Sequence, residues 1–261
     1  MTILDQLAEK AGERMRSARE QVGFPEMTER ARACRRPSHA FSGALSSPGL
    51  SFICEVKRAS PSKGLIDPVF DYMQIARDYE EAGADCVSCL TEPYWFLGSD
   101  DIFRQIRGAI SRPMIRKDFV VDPYQVAEAR AMGADCVLLI VSILGERLLE
   151  ECLALSEAFQ MDALVETHDA QEIDTAVRAG AKLIGVNNRN LKDFSVDFEN
   201  AQRLRDRIPP ECLYVAESGV SSPEDVSRLA RIGADAVLMG EVLMRTQDRI
   251  AMLRSMREAA R

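Results

Sequence analysis

Glycine recurs along this chain in one setting about every 50 residues: AGADCVSCL from Ala82, MGADCVLLI from Met132, AGAKLIGVN from Ala179 and IGADAVLMG from Ile232. Each of Gly83, Gly133, Gly180 and Gly233 closes an amphipathic run, such as DYMQIARDYEEA, and opens an apolar one. Glycine tolerates the left-handed backbone that ends a helix, so a helix is predicted before it and a strand buried on both faces after it. Four further apolar runs, 51–57, 113–119, 162–167 and 212–218, fall between the repeats. Interleaved, they give eight strands roughly 25 residues apart, room for strand, loop and crossover helix. Eight such units favour an α/β fold of the (β/α)8 TIM-barrel type, which takes about 250 residues as one domain. The competing architecture is an open doubly wound sheet, and no glycine-rich dinucleotide loop follows the first strand to support it.

Residues 1–50 precede the first strand. ILDQLAEKAGERMRSAREQ has a helical pattern and RRPSHAFSGALSSPGL reads as a turn-rich linker. The expected organisation is an N-terminal helical extension (1–50) packed on a barrel (51–261), together one domain. With 46% hydrophobic and 28% charged residues, the chain has enough apolar mass for a large core. A net charge of −8 argues against nucleic acid but not against a small anion met by local lysines. The charged N-terminus is no signal peptide, and the most apolar stretch, Cys136 to Leu144, is too short to cross a membrane. Seven cysteines at irregular spacing suit reduced thiols, hence a cytoplasmic protein. Oligomeric state is not written in the sequence, and a monomer is the working expectation.

Strand C-termini of a barrel converge on one mouth. The predicted strands end there in Glu55-Val-Lys57, Lys117-Asp118, Glu166, Asn187-Asn188-Arg189 and Glu217-Ser218-Gly219. One such group alone is a solvated strand end. Two lysines and three glutamates gathered in a partly dry pocket should shift one another's pKa values, as general acid–base chemistry requires. Ser60-Pro61-Ser62-Lys63-Gly64 and the turns Ser218-Gly219 and Gly240-Glu241 add candidate phosphate contacts after strands one, seven and eight. Cys86 and Cys89 form a C-x-x-C inside a strand, where positions three apart face opposite ways, so no zinc or redox role is expected. His168, just past strand five, and His39 are given little weight. Asp118 reads equally as a partner of Lys117 or as a buried structural carboxylate. No cluster has metal-ligand spacing, so neither metal nor organic cofactor is expected.

With these residues in place, the chain strongly resembles the indole-3-glycerol phosphate synthases. The resemblance runs nearly end to end, through CEVKRASPSKGLI, LTEPYWFLGS, IRKDFVVDPYQVAEARAMGADCVLLIV, LVETHD, IGVNNRNL, VAESGV and VLMGEVLM. EVKRASPSKG and IRKDFVVDPYQV are its specific parts; ESGV and the GAD repeats are shared with other phosphate-binding barrels. The resemblance implies a carboxy-lyase of tryptophan biosynthesis acting on a small phosphorylated substrate, 1-(2-carboxyphenylamino)-1-deoxyribulose 5-phosphate. It implies Lys117 as general acid, with a depressed pKa. It places Lys57 on the substrate carboxylate, Glu166 and Glu55 as proton-handling carboxylates and Glu217 in support. By the same resemblance Asn187 and Arg189 position substrate, Phe96, Phe119, Leu138 and Leu191 wall the aromatic ring, and Ser60, Ser218, Gly219, Gly240 and Glu241 hold phosphate. Thr167 and Trp95 depart from the family pattern and are expected to alter the lining of the site. The alternatives are a related barrel, such as a phosphoribosylanthranilate isomerase or a tryptophan synthase α-like lyase, and a non-catalytic metabolite-binding barrel.

Overall fold

All eight apolar runs become strands. The computed structural model describes residues 2–190 and 194–261. Its strands are β1 (Ser51–Val56), β2 (Cys86–Leu90), β3 (Met114–Lys117), β4 (Cys136–Ile140), β5 (Asp162–Thr167), β6 (Leu183–Asn187), β7 (Leu213–Glu217) and β8 (Ala236–Met239). Each pairs in parallel with its sequence neighbours, and β8 closes on β1 through Ser51–Ala236 to Cys54–Met239, which rules out the open sheet. Alternation along each strand splits the apolar residues into two sets. Ile53, Ile115, Leu138 and Leu164 fill the barrel, while Phe52, Val87, Val137 and Ile184 face the surrounding helices. Cys86 points in and Cys89 out, as their spacing predicts, and all seven cysteines are free thiols.

The four repeat glycines have φ between 73° and 92°, the left-handed turn that stops each preceding helix. The aspartate of the G-A-D repeats has a second function. Asp85, Asp135 and Asp235 accept the backbone N–H of Phe52, Met114 and Tyr214, at 2.8, 2.9 and 2.7 Å. They thereby satisfy strand-start donors at the barrel base that no neighbouring strand reaches. In the third repeat Lys182 stands in place of aspartate and offers only its carbonyl, to the N–H of Leu213.

The N-terminal segment forms three helices: α1 (Ile3–Gln21), α2 (Phe24–Ala33) and α3 (Ala40–Leu45). Helix α3 corrects the expectation of a plain linker. It is too short to show a period, but Phe41 and Leu45, four apart and so on one face, are fully buried in the barrel interior. It is fastened there by the Ser42 N–H on Asp162 (2.9 Å). Helix α2 packs on α4 (Pro123–Ala131), where the Tyr124 hydroxyl donates to the Val22 carbonyl. Helix α1 crosses the opposite end, the mouth. No helix among the described residues is long and apolar enough to cross a membrane.

Arg14 of α1 makes two hydrogen bonds to Asp118, at 2.7 and 3.0 Å, and Asp118 also accepts from Thr91 (2.7 Å) and the Phe119 N–H (2.8 Å). Asp118 is therefore a structural carboxylate that ties α1 to the end of β3. Burial opposes its charge, but hydrogen bonds from Arg14 and the Arg116 charge outweigh burial and hold its pKa below the ordinary value. A lowered carboxyl pKa stabilises the fold above the ordinary carboxylate range, and that contribution is lost as pH falls through the folded value. Arg14→Ala is expected to cost about 2–3 kcal/mol in urea unfolding at neutral pH and less at acid pH. A loss below about 0.5 kcal/mol at neutral pH would show that Thr91 and Phe119 hold the carboxylate without Arg14.

Candidate active site

Glu55, Lys117, Glu166 and Glu217 stand near the C-terminal ends of β1, β3, β5 and β7, the odd-numbered strands. Alternate strands of such a barrel supply each layer of interior side chains, and the layers below are hydrocarbon. Here the uppermost layer is one ammonium among three carboxylates. The Lys117 Nζ donates to Glu166 Oε2 at 3.0 Å and to Glu217 Oε2 at 3.2 Å. Lys57 lies 2.5 Å from Glu55, and the Asn187 amide donates to Glu166 Oε1 at 3.1 Å.

The electrostatics follow from these distances. Burial works against the Lys117 charge, but Glu166, Glu217 and then Glu55 outweigh it, so its pKa is raised. This corrects the depressed value expected from sequence: two carboxylates in contact stabilise the ammonium more than the dry setting penalises it. The two glutamates part company. Burial would raise Glu166, yet Lys117, His168 and Asn187 together hold it low. Glu217 is pushed up to about 7 by burial and by repulsion from Glu166, which the Lys117 charge only partly offsets. Its Oε1 is buried without a hydrogen-bond partner. Two glycines make room for this charge. A Cβ at Gly185 would lie 2.1 Å from Glu217 Oε1, and one at Gly240 would lie 2.7 Å from Glu55 Oε1.

These groups open onto a cavity of about 820 Å³. One wall is apolar: Phe96 and Phe119, with ring centroids 6.0 Å apart, together with Leu138, Leu90 and Ile140. Ile3, Leu4 and Leu7 of α1 complete it, a contribution from the extension that sequence reasoning missed. Phe96 is presented by a loop wound on the buried Glu92, whose carboxylate accepts the N–H groups of Tyr94, Trp95 and Phe96 at 2.8–3.0 Å. Trp95 itself packs on the inner apolar cluster, and Thr167 is fully buried with its hydroxyl on the Gly185 carbonyl. Neither lines the cavity, so the two departures from the family pattern leave its wall unaltered. Leu191 lies outside the described residues.

The opposite end of the cavity is polar. Ser60, Ser62 and Lys63, in a small hairpin after β1 that pairs Ala59–Ser60 with Gly64–Leu65, face Ser218, Gly219, Gly240 and Glu241 from the loops after β7 and β8. Ser218 takes φ 66° and Gly219 φ 91°, two successive left-handed residues that turn the chain sharply under the cavity. At Glu241 only the backbone N–H suits a phosphate, as expected of this loop, since the carboxylate would repel one. The side chain instead sits among Lys63 (3.4 Å), Arg245 (3.4 Å) and Arg189 (3.6 Å). Arg189 also approaches the Ser62 hydroxyl (3.4 Å) and the Phe194 carbonyl (3.3 Å), which places it over the hairpin. Among the described residues no three His, Cys, Asp or Glu side chains are grouped to hold a metal ion.

A family model described as indole-3-glycerol phosphate synthase matches residues 4–256, extension and barrel together. The chain belongs to the indole-3-glycerol phosphate synthase family. Curated members agree over nearly the full length. The indole-3-glycerol phosphate synthase of Ruminiclostridium cellulolyticum is 45% identical over 99% of this chain and 100% of its own. That of Lactiplantibacillus plantarum is 47% identical over 95% of each. Family membership sets aside the related phosphate barrels and the non-catalytic scaffold. Among solved structures, the 3-hexulose-6-phosphate synthase of Salmonella typhimurium superposes with a TM-score of 0.67 at 12% identity, covering 81% of this chain and 98% of that one. At that identity the likeness concerns the barrel alone.

Proposed function

We propose that the chain closes the indole ring of 1-(2-carboxyphenylamino)-1-deoxyribulose 5-phosphate, releasing CO2 and water to give indole-3-glycerol phosphate, and that the odd-strand layer carries the proton transfers. The observation that carries this reading is Lys117, held between Glu166 and Glu217 at the floor of a cavity that is apolar on one side and lined with serines, glycines and cations on the other.

The aromatic ring lies against Phe96, Phe119 and Leu138, and the phosphate reaches Ser60, Ser218, Gly219 and the Gly240–Glu241 backbone. The carbonyl carbon then sits over Lys117. As the ring carbon attacks it, charge develops on the carbonyl oxygen, and the ammonium stabilises that charge and delivers its proton. A raised pKa does not bar the step, because an alkoxide is a stronger base than an amine. Lys57, paired with Glu55, meets the substrate carboxylate until it leaves as CO2 and restores aromaticity, a departure that dry walls assist. In dehydration Glu166, the lower of the two glutamates, takes the proton from carbon while Lys57 protonates the departing hydroxyl, which leaves as water; Glu55 assists, and Glu217 orients Lys117. Asn187 fixes Glu166, and Arg189 holds an anionic end of the substrate. The extension and barrel work as one domain, since α1 supplies part of the cavity wall. The seven free thiols support a cytoplasmic setting, and a monomer is the simplest assembly that completes the site.

The test is direct. The purified chain is expected to convert the carboxyphenylamino-deoxyribulose phosphate, with no added metal or cofactor, to a product with indole fluorescence and one equivalent of CO2. A folded barrel that yields neither sinks the reading.

A further inference from the structure

Both oxygens of Glu166 are engaged, one by Lys117 and the other by Asn187, yet a third group also faces it. His168, two residues on, places Nε2 3.3 Å from Glu166 Oε1, an ion-pair contact off the line of a good hydrogen bond, and that nitrogen has no other partner. Its other side is clamped. Glu172, one turn into α5 (Ala170–Arg178), meets His168 Nδ1 at 2.9 Å and accepts its backbone N–H at 2.8 Å with the same oxygen. A second cavity of about 560 Å³ lies behind the ring, lined by His168, Glu172 and Asn187. The imidazole therefore lines this second cavity and not the main one, although Asn187 and Arg189 border both.

We propose that His168 is a positioning residue, an imidazolium locked by Glu172 that orients Glu166 and keeps it ionised, so that Glu166 enters turnover as a proton acceptor. The proposal rests on the reading of Glu166 as a proton-handling carboxylate and explains how it stays one in a buried setting. A ring that is hydrogen-bonded to one carboxylate through Nδ1 and faces a second across Nε2 is favoured as the imidazolium. Burial disfavours that charge, but the carboxylates of Glu166 and Glu172 outweigh burial and raise the His168 pKa to about 10. The other charged groups facing this assembly are Lys117 from β3, Glu217 from β7, and Asp5, Arg189 and Asp197 around the second cavity. Asp169 is engaged in capping α5 through the Glu172 N–H.

The experiment compares His168→Phe, which keeps ring volume without nitrogens, with His168→Gln, which keeps an N–H donor without charge, and with Glu172→Gln. His168→Phe is expected to lower kcat about tenfold or more, with KM within about threefold, and to move the acid limb of the kcat–pH profile up by about one unit. His168→Gln should recover part of kcat, and Glu172→Gln should shift the limb in the same direction by less. Circular dichroism and unfolding temperature verify each fold, and if the phenylalanine variant does not fold, the two glutamine variants carry the test. An unmoved acid limb, or an effect confined to KM, overturns the proposal. Glu166→Gln separates the two ideas. If it keeps both kcat and the acid limb, the reading of Glu166 fails. If it loses them while His168→Phe leaves the limb in place, only the positioning proposal falls.

Discussion

Lys117→Met is expected to lower kcat by about a thousandfold or more, about 4 kcal/mol in barrier, while substrate still binds. Methionine is unbranched and one heavy atom shorter than lysine, so it keeps most of the floor of the cavity filled and the main loss is one of charge and proton. The aromatic wall and the phosphate loops are made by other residues, and equilibrium binding should hold within about fivefold, since interactions uniform to ground and transition state are retained. Steady-state indole fluorescence gives kcat and titration calorimetry gives binding. A kcat within about tenfold of the parent would move the general acid to another group, Lys57 being the nearest candidate.

Glu166→Gln is the second large effect, an expected kcat loss of about a hundredfold to a thousandfold with little change in KM. The amide keeps the shape and can still accept from Asn187, but it takes no proton and carries no charge to balance Lys117. Two shifts should follow. Lys117 loses the neighbour that most favours its ammonium, so its pKa falls; Glu217 loses a repelling charge, so its pKa falls from about 7. In the parent, that raised carboxyl holds a proton in the fold which the unfolded chain has already released. Stability attributable to Glu217 therefore declines as pH rises from the ordinary carboxylate range through about 7. The glutamine variant should show a shallower decline across the same window in urea unfolding. An unchanged decline would place the proton elsewhere.

The barrel was legible because its punctuation repeats. A left-handed helix end needs glycine, so Gly83, Gly133, Gly180 and Gly233 leave a mark in composition that survives without any structure. Helix α3 left none, being shorter than the window over which a period shows, and its lodging in the barrel base depends on partners scattered along the chain. The site was legible as far as residue types went, because charge stands out where strands are otherwise apolar. Its pKa pattern was not. Sequence shows that carboxylates are present near Lys117 but not that two of them touch it, and contact reverses the direction of the shift. His168 was set aside because each partner is unremarkable alone. Glu166-x-His168-x-x-x-Glu172, a strand end followed by one helical turn, is the local signal that would have drawn it in. The wall supplied by Ile3, Leu4 and Leu7 had no such signal, since nothing local says which end of the barrel α1 crosses.

Gly185 lies in the middle of β6, where a core position would ordinarily carry a branched side chain. Its place beside Glu217 means that part of the catalytic layer is made of vacant space rather than of functional groups. A search of natural variants for lost chemistry would pass over it, since glycine to alanine removes nothing and merely adds a methyl group to a barrel interior. Such an allele would be catalogued as a packing change, although the added methyl group falls where the Glu217 carboxylate lies.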